Sequence, residues 1–420
     1  MSAAAVDRLG AGRDVRTEDA PPGVTVSTHQ LTTFDGAKVE GVLHALDGAT
    51  TVMTLMHPRQ SMTHHPMIPL LLRSGVSVWT QGTRSPNNDL ALVHEQALLD
   101  AAAGHVFLRD GGFEAVLTFG HSGGGTLSAF YIEQASLPPE LRLDVTPAGR
   151  PIALAGARMP VPDGAIFLAP HPGQGQVLLH CIDPSVTDEA DPMSVDPALD
   201  MYLPRNGFAA PPEPSHYSPD FLQAYRAAQR DRIARIDARA TELAAEVAQA
   251  RARYARTGDP ADRRAGLAPR IITTYRTDAD PCYTDLSIDP NDRHYGSLFG
   301  HRPDLTNHGL VGFGRLTTPD SWLSTWSANH TNADFVRCAP GVALPTLYLE
   351  FSGDQAALPA VSARMFAALA AGDKTRHVVR GQHFGQPIAE GEPTGYAAAA
   401  VHIRRWLADR FATAVPRKTR

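Results

Sequence analysis

The sequence predicts an α/β fold, with a mostly parallel central sheet, helices on both faces and a large, mainly helical insertion. Three observations carry this. Glu114 to Phe119 is a short apolar run that meets Gly120-His121-Ser122-Gly123-Gly124-Gly125 and continues into Thr126 to Ile132, whose apolar residues recur at helical spacing. Strand-like and helix-like segments alternate on either side of that turn, as they do when crossover helices join parallel strands. The apolar run at 165–170 is followed by no comparable strand until 346–351, so the intervening residues form an insertion rather than a crossover.

Taken in order, two alternating segments between Val24 and Leu46 flank Asp35-Gly36, a hairpin signal, so the sheet should open with antiparallel strands. Thr51 to Met56 has the apolar content of a buried strand and ends at His57-Pro58-Arg59-Gln60. Residues 67–72 read as a helix, 76–80 as the next strand, and a long helix is expected between Asp89 and Arg109. Beyond the insertion, 346–351 and 376–379 read as strands, and 359–371 and 396–411 as helices.

Within the insertion, Pro, Gly and Asp are dense at 184–219 and 278–303, whereas 218–256 is strongly helical. There Ile233, Ile236, Ala240, Leu243 and Val247 recur at three- and four-residue spacing. Such a stripe suits a helix packed on its own domain, and it also offers a contact for a homo-oligomer. The expected boundaries are a mobile amino-terminal arm at 1–23, a first core part at 24–173, the cap insertion at 174–340, a second core part at 341–413 and a tail at 414–420.

A chain of 420 residues with 43% hydrophobic content is long enough for one large domain carrying an insertion, or for two domains. Its net charge of -6 supplies no basic field for a phosphate backbone, which argues against nucleic acid as a partner. Cys181, Cys282 and Cys338 lack the paired spacing of a zinc site or a disulfide framework and suit a reducing compartment. The first two dozen residues show no apolar signal-peptide core and no segment approaches a membrane span, so a cytoplasmic protein without membrane contact is expected. His64-His65 and the scattered acids show no metal-ligand spacing, and Gly120 to Gly125 fits a turn around a serine better than a dinucleotide fingerprint. No metal and no other cofactor is expected.

The chemistry centres on Ser122. A serine that leaves a buried strand and enters a helix through a sharp turn needs residues without bulk two places before and after it, and Gly120 and Gly124 stand there. A neutral hydroxyl is a poor nucleophile, so a histidine must take its proton and a carboxylate must orient the histidine. Asp354, just past the strand that ends at Phe351, and His383, just past the last strand, supply both in the order Ser, Asp, His. Helix capping is the competing role for Asp354. Glu350 is a weaker candidate because it lies inside a strand, and His377 because it enters the last strand instead of leaving it.

An attacked carbonyl becomes an oxyanion that two N–H groups should meet. Gly123 is the first expected donor. The second should come from the loop after the third strand, where Pro58 has no N–H, leaving Arg59 or Gln60. His57 braces that loop or lines the pocket, and His121, Trp322 and Trp326 are further candidates for pocket lining. The loop Ala169-Pro170-His171-Pro172-Gly173-Gln174-Gly175 follows a strand and is placed to border the site from the opposite side.

These residues resemble the α/β-hydrolase superfamily, specifically its esterase- and lipase-like members with a large cap inserted after the sixth strand. The resemblance covers Val24 to Ala169 and Leu344 to Phe411 and rests on Gly120-His121-Ser122-Gly123-Gly124, Gly353-Asp354 and His383. It departs at His57-Pro58-Arg59, where many relatives carry His-Gly-Gly, and in the length of the insertion. It implies a cofactor-free serine hydrolase that cleaves a carboxylic ester or lactone through an acyl-enzyme, with Ser122, Asp354 and His383 as the triad. The segment from Leu168 to Asp200 looks like large-cap relatives, some of which open bulky polyketide lactones, and this implies a bulky hydrophobic or aromatic substrate. A general carboxylesterase, an acyltransferase, a carbon–carbon hydrolase and a binding protein without turnover remain open alternatives.

Overall fold

A computed structural model describes residues 19–414 of the chain. Residues 1–18 and 415–420, which hold most of the expected arm and tail, lie outside the described residues. Eight strands form one sheet: β1 (Val24–Thr32), β2 (Lys38–Leu46), β3 (Thr51–Met56), β4 (Ser77–Gln81), β5 (Ala115–His121), β6 (Gly164–Leu168), β7 (Thr346–Gly353) and β8 (Lys374–Gln382). Their order is β1-β2-β4-β3-β5-β6-β7-β8. The β1–β2 hairpin closes through Gly36, at φ +85°, and β2 is also antiparallel to β4; every other pairing is parallel.

The inner parallel strands β3, β5, β6 and β7 are buried along nearly their whole length because both faces of the sheet are covered there. One face holds α1 (Met67–Leu72) and α8 (Gly395–Ala408), whose Leu71, Leu72, Ile403 and Trp406 pack on Leu117, Phe119, Ile166 and Leu168. The other holds α2 (His94–Asp110), α3 (Gly123–Ser136) and α7 (Pro359–Ala368), which bury Ala165, Phe167 and Tyr348. In β6 alone, residues 165 and 167 face one layer and 166 and 168 the other, the two-residue period of a strand.

Residues 169–345 leave the sheet after β6 and return at β7. They carry α4 (Gln174–Cys181), α5 (Pro219–Thr257), α6 (Pro260–Leu267) and a two-stranded ribbon pairing Ile272–Thr273 with Leu316–Thr317. Ser218 caps α5 by accepting the Phe221 N–H, Pro219 occupies its first turn, and Gly258, at φ +68°, ends it. With 39 residues, α5 is about 58 Å long.

Ile233, Ile236, Ala240 and Leu243 of that helix are buried against Val177 and Leu178 of α4 and against Trp322. Most of the stripe is therefore covered within the chain, which leaves little of it for the subunit contact suggested by its spacing. The insertion docks on the start of α2. Glu95, fully buried, accepts hydrogen bonds from Ser324 Oγ (2.6 Å) and Asn332 Nδ2 (2.9 Å), and Ser324 Oγ also accepts the His94 N–H. Among the described residues no helix is long and apolar enough to cross a membrane.

Candidate active site

Ser122 stands between the end of β5 and the start of α3 with φ 54° and ψ -125°, a conformation that side-chain-bearing residues rarely adopt. The glycines around it permit the turn. A Cβ on Gly120 would lie 2.5 Å from the Cα of Gly125, and one on Gly124 would lie 2.5 Å from the Met56 carbonyl oxygen. Strand and helix pass each other at backbone distance, and the Ser122 hydroxyl is left at the carboxyl edge of the sheet.

There it meets residues from the far end of the chain. The Ser122 hydroxyl lies 2.9 Å from His383 Nε2, and His383 Nδ1 lies 2.9 and 3.0 Å from the two Asp354 oxygens. Asp354 and His383 directly follow β7 and β8. Asp354 Oδ1 also accepts the N–H groups of Ala356 (2.6 Å) and Ala357 (3.0 Å), so the carboxylate is fixed by the backbone as well as by the imidazole. The helix that follows begins only at Pro359, so these bonds make a local turn and not a helix cap.

The sheet order, the single reversed strand β2, the strained serine at the end of β5 and the hydrogen-bonded Ser, His and Asp side chains together decide the architecture. The chain has the α/β-hydrolase fold. Compared with solved structures, this α/β-hydrolase fold is similar to DcsB in complex with its substrate analogue (12% identity, TM-score 0.49, covering 92% of this chain and 100% of that one). It is also similar to the alpha/beta hydrolase GrgF from Penicillium sp. sh18 (10% identity, TM-score 0.48, 92% and 99% covered). A third is the Pyrococcus furiosus esterase Pf2001 (10% identity, TM-score 0.43, 93% and 92% covered). No protein-family model matches the chain, and no curated protein sequence does.

Behind the α/β-hydrolase elbow runs a file of imidazoles. Met67 N–H donates to His65 Nδ1 (3.2 Å), so the proton of His65 sits on Nε2 and is given to His121 Nδ1 (3.0 Å). His121 Nε2–H in turn donates to the His383 carbonyl (3.0 Å). Burial pushes both groups down, His65 well below the ordinary histidine range and His121 to about 3, with the neighbouring imidazoles adding to the effect. Both are neutral donors. His121, expected among the pocket-lining residues, instead positions the backbone of His383 from beneath.

The structure departs from the expected second oxyanion donor. The N–H groups of Arg59 and Gln60 both point at His57 Nδ1, at 3.1 and 3.0 Å, because Pro58 folds the loop back over the imidazole. The Arg59 guanidinium pairs with Asp89 (2.7 Å) and lies 4.8 Å from the centre of the Trp326 ring, tying this loop to the insertion. Trp322 is likewise not part of the pocket wall. It is fully buried, with Nε1 donating to Asp237 Oδ1 of α5 (2.8 Å), and serves the core of the insertion.

Gly123 begins α3, where helix N–H groups are free to meet an anion. Three side-chain nitrogens crowd the space beside it. A Cβ on Gly123 would lie 2.5 Å from Gln174 Nε2 and 2.9 Å from both His171 Nε2 and His57 Nε2. His171 and Gln174 belong to the loop expected to border the site, yet nothing assigned them a role there. The missed signal is a repeated dipeptide: His57-Pro58 and His171-Pro172 lie just past β3 and β6, the two strands that flank β5.

The rival acid and base have other partners. Glu350 forms an ion pair with Arg376 of the neighbouring strand (2.9 Å), and the His377 ring packs on His402 at 4.1 Å.

Proposed function

We propose that the protein is a serine hydrolase that cleaves a carboxylic ester or lactone through an acyl-enzyme. The observation that carries this reading is the hydrogen-bonded file from Ser122 Oγ through His383 to Asp354 at the end of β5. Ser122 Oγ bonds to the carbonyl carbon as its proton passes to His383 Nε2 and the carbonyl π pair moves onto oxygen. Collapse of this adduct breaks the bond to the alcohol oxygen, which takes the proton from His383. Water then attacks the acyl group, its proton goes to His383, and Ser122 departs with that proton, releasing the acid. In a lactone, acid and alcohol leave as one chain. Asp354 holds the imidazole in the tautomer that makes Nε2 the base.

The substrate is a bulky apolar or aromatic ester, a polyketide-like macrolactone being the sharpest form of the reading. One observation supports an enclosed substrate site. Ser122 is only 9% exposed and His383 is fully buried, so the nucleophile lies under the insertion and not on an open face.

The test is hydrolysis of a short aryl ester beside a bulky aromatic macrolactone by wild type and Ser122→Ala, with fluorophosphonate labelling of both. Labelling at Ser122 with turnover that falls by several orders of magnitude in the variant is the expected result. Preference for the short ester would replace the macrolactone reading with a general carboxylesterase. Serine-independent turnover would overturn the mechanism.

A further inference from the structure

Backbone N–H groups ordinarily receive the oxyanion in a serine hydrolase, and the two expected from the loop after β3 are occupied by His57 Nδ1. The same loop presents another donor. An imidazole whose Nδ1 accepts N–H bonds carries its proton on Nε2. His57 is therefore an Nε2–H donor, and so is His171, whose Nδ1 accepts the Gly173 N–H (3.0 Å).

In both residues the following proline has no N–H, and the next N–H in the chain turns back onto Nδ1. Two loops on opposite sides of β5 thus repeat one local device and aim both Nε2 atoms at the space beside Gly123. His57 and His171 are 5% and 6% exposed. The backbone of His171 is tied to the elbow as well, its N–H donating to the Ser122 carbonyl (3.3 Å) and its carbonyl accepting the Thr126 hydroxyl (2.6 Å).

Gln174 supplies the independent observation. At 2% exposure, neither atom of its amide makes a hydrogen bond of good geometry among the described residues, although the amide faces His94 and its Nε2 reaches the same space. A buried amide without such a bond costs on the order of a hydrogen bond, which points to a ligand atom that completes it.

We propose that the oxyanion is received by side chains, with His57 Nε2–H and His171 Nε2–H joining the Gly123 N–H, and with the Gln174 amide donating to the same oxygen or to its substrate neighbour. The inference rests on the acyl-enzyme reading of Ser122. Burial holds both imidazoles neutral, His57 well below its ordinary range and His171 at about 3, and the charges on His383 and Arg59 disfavour a second cation there. A neutral imidazole whose protonated form is inaccessible donates to developing negative charge without competing for the proton that His383 must carry.

Paired isosteres separate donation from bracing. Asparagine places Oδ1 where His Nδ1 was, keeping the acceptor for the loop N–H groups while deleting the Nε2 donor. Glutamine places Nε2 where His Nε2 was, keeping the donor while deleting the acceptor. His57→Asn and His171→Asn should each lower kcat by about 10² to 10³ with KM changed less than about threefold. His57→Gln and His171→Gln should stay within about tenfold of wild type. A trifluoromethyl ketone, which forms an anionic adduct on Ser122, should lose affinity in step with kcat across the four variants.

The inference is overturned if the Gln variants are impaired as much as the Asn variants, because the histidines would then be loop braces. It is overturned equally if the Asn variants keep wild-type kcat while Ser122 still labels with fluorophosphonate, an outcome that spares the serine mechanism. Failure of wild type to label at Ser122 would remove both. Thermal melts of each variant against wild type accompany the kinetics, and a melt that falls in the Gln variants alone marks the loss of the Nδ1 acceptor without loss of the donor.

Discussion

Gly120→Ala tests whether the elbow is as tight as its geometry indicates. The added Cβ would meet Gly125 Cα at 2.5 Å and Gly124 O and Gly125 N at 2.7 Å, all of them backbone. Carbon atoms pack best at about 3.5–4.0 Å, so the strand and helix must separate by roughly 1 Å to relieve the clash. Overpacking of this kind costs about 1–3 kcal/mol, and backbone neighbours that cannot rotate away place it at the upper end. For 420 residues, about 2.1 cal/mol/K per residue gives an unfolding entropy near 0.9 kcal/mol/K, so about 3 kcal/mol lowers Tm by roughly 3–4 °C. The same displacement takes Ser122 Oγ out of its 2.9 Å contact with His383, and a misplacement of 1 Å costs about 10² in rate. Calorimetry and the rate of fluorophosphonate labelling measure the two effects. Gly372→Ala, where a Cβ meets nothing within 4 Å and φ is not positive, is the control. A Gly120→Ala protein that melts and labels like this control would refute the close approach of strand and helix.

Other expectations follow from the buried histidines. His121→Phe leaves the His65 Nε2–H and the His383 carbonyl without partners, so Tm should fall by roughly 3 °C and kcat by about tenfold with KM unchanged; an unaltered kcat would show that His383 is held by other contacts. His105, His121 and His171 are each held down to about 3 by burial, against about 6.5 in an unfolded chain. Between those pH values the unfolded chain binds protons that the folded one refuses. Their contribution is therefore intact above about pH 6.5 and is lost as the pH falls towards 3, by about 1.4 kcal/mol per pH unit for each histidine. His105 stacks on Tyr131 away from the serine, so His105→Gln should reduce proton uptake on unfolding by about one near pH 5 and leave the pH–rate profile alone. An unchanged uptake would show that His105 is already charged in the native state.

The sheet was legible because its central strands β3, β5, β6 and β7 are rich in apolar residues, its opening pair alternates, and its last helix carries one apolar face. The strand at 51–56 and the helix at 67–72 stand where the residues alone put them, and the other core elements lie within a few positions. That Ser122, Asp354 and His383 meet was legible for a different reason, since chain order and the ends of strands nominate Asp354 and His383 over Glu350 and His377 as neighbours of Ser122. What failed was side-chain direction in loops. Nothing in His57-Pro58-Arg59-Gln60 reveals that two N–H groups turn onto Nδ1, and Gly173 and Gly175 disguised the start of α4, so Gln174 read as loop. Trp322 misled because aromatic residues in an insertion serve its own core as readily as a pocket, and it became the bolt between α5 and the segment before β7.

The placement of residues 169–345 also sets a schedule for synthesis. At about 5–20 residues per second, roughly 9–35 s of translation separate β6 from β7. During that interval β6 is the unpaired rim of the growing sheet, and α8 has not been made to cover Leu117, Phe119 and Ile166. The nascent chain therefore carries a bare strand and an uncovered apolar face while its longest helix emerges. Ser122 is made early and His383 last, so the hydrogen-bonded file from Ser122 to Asp354 closes only after β8 has been made.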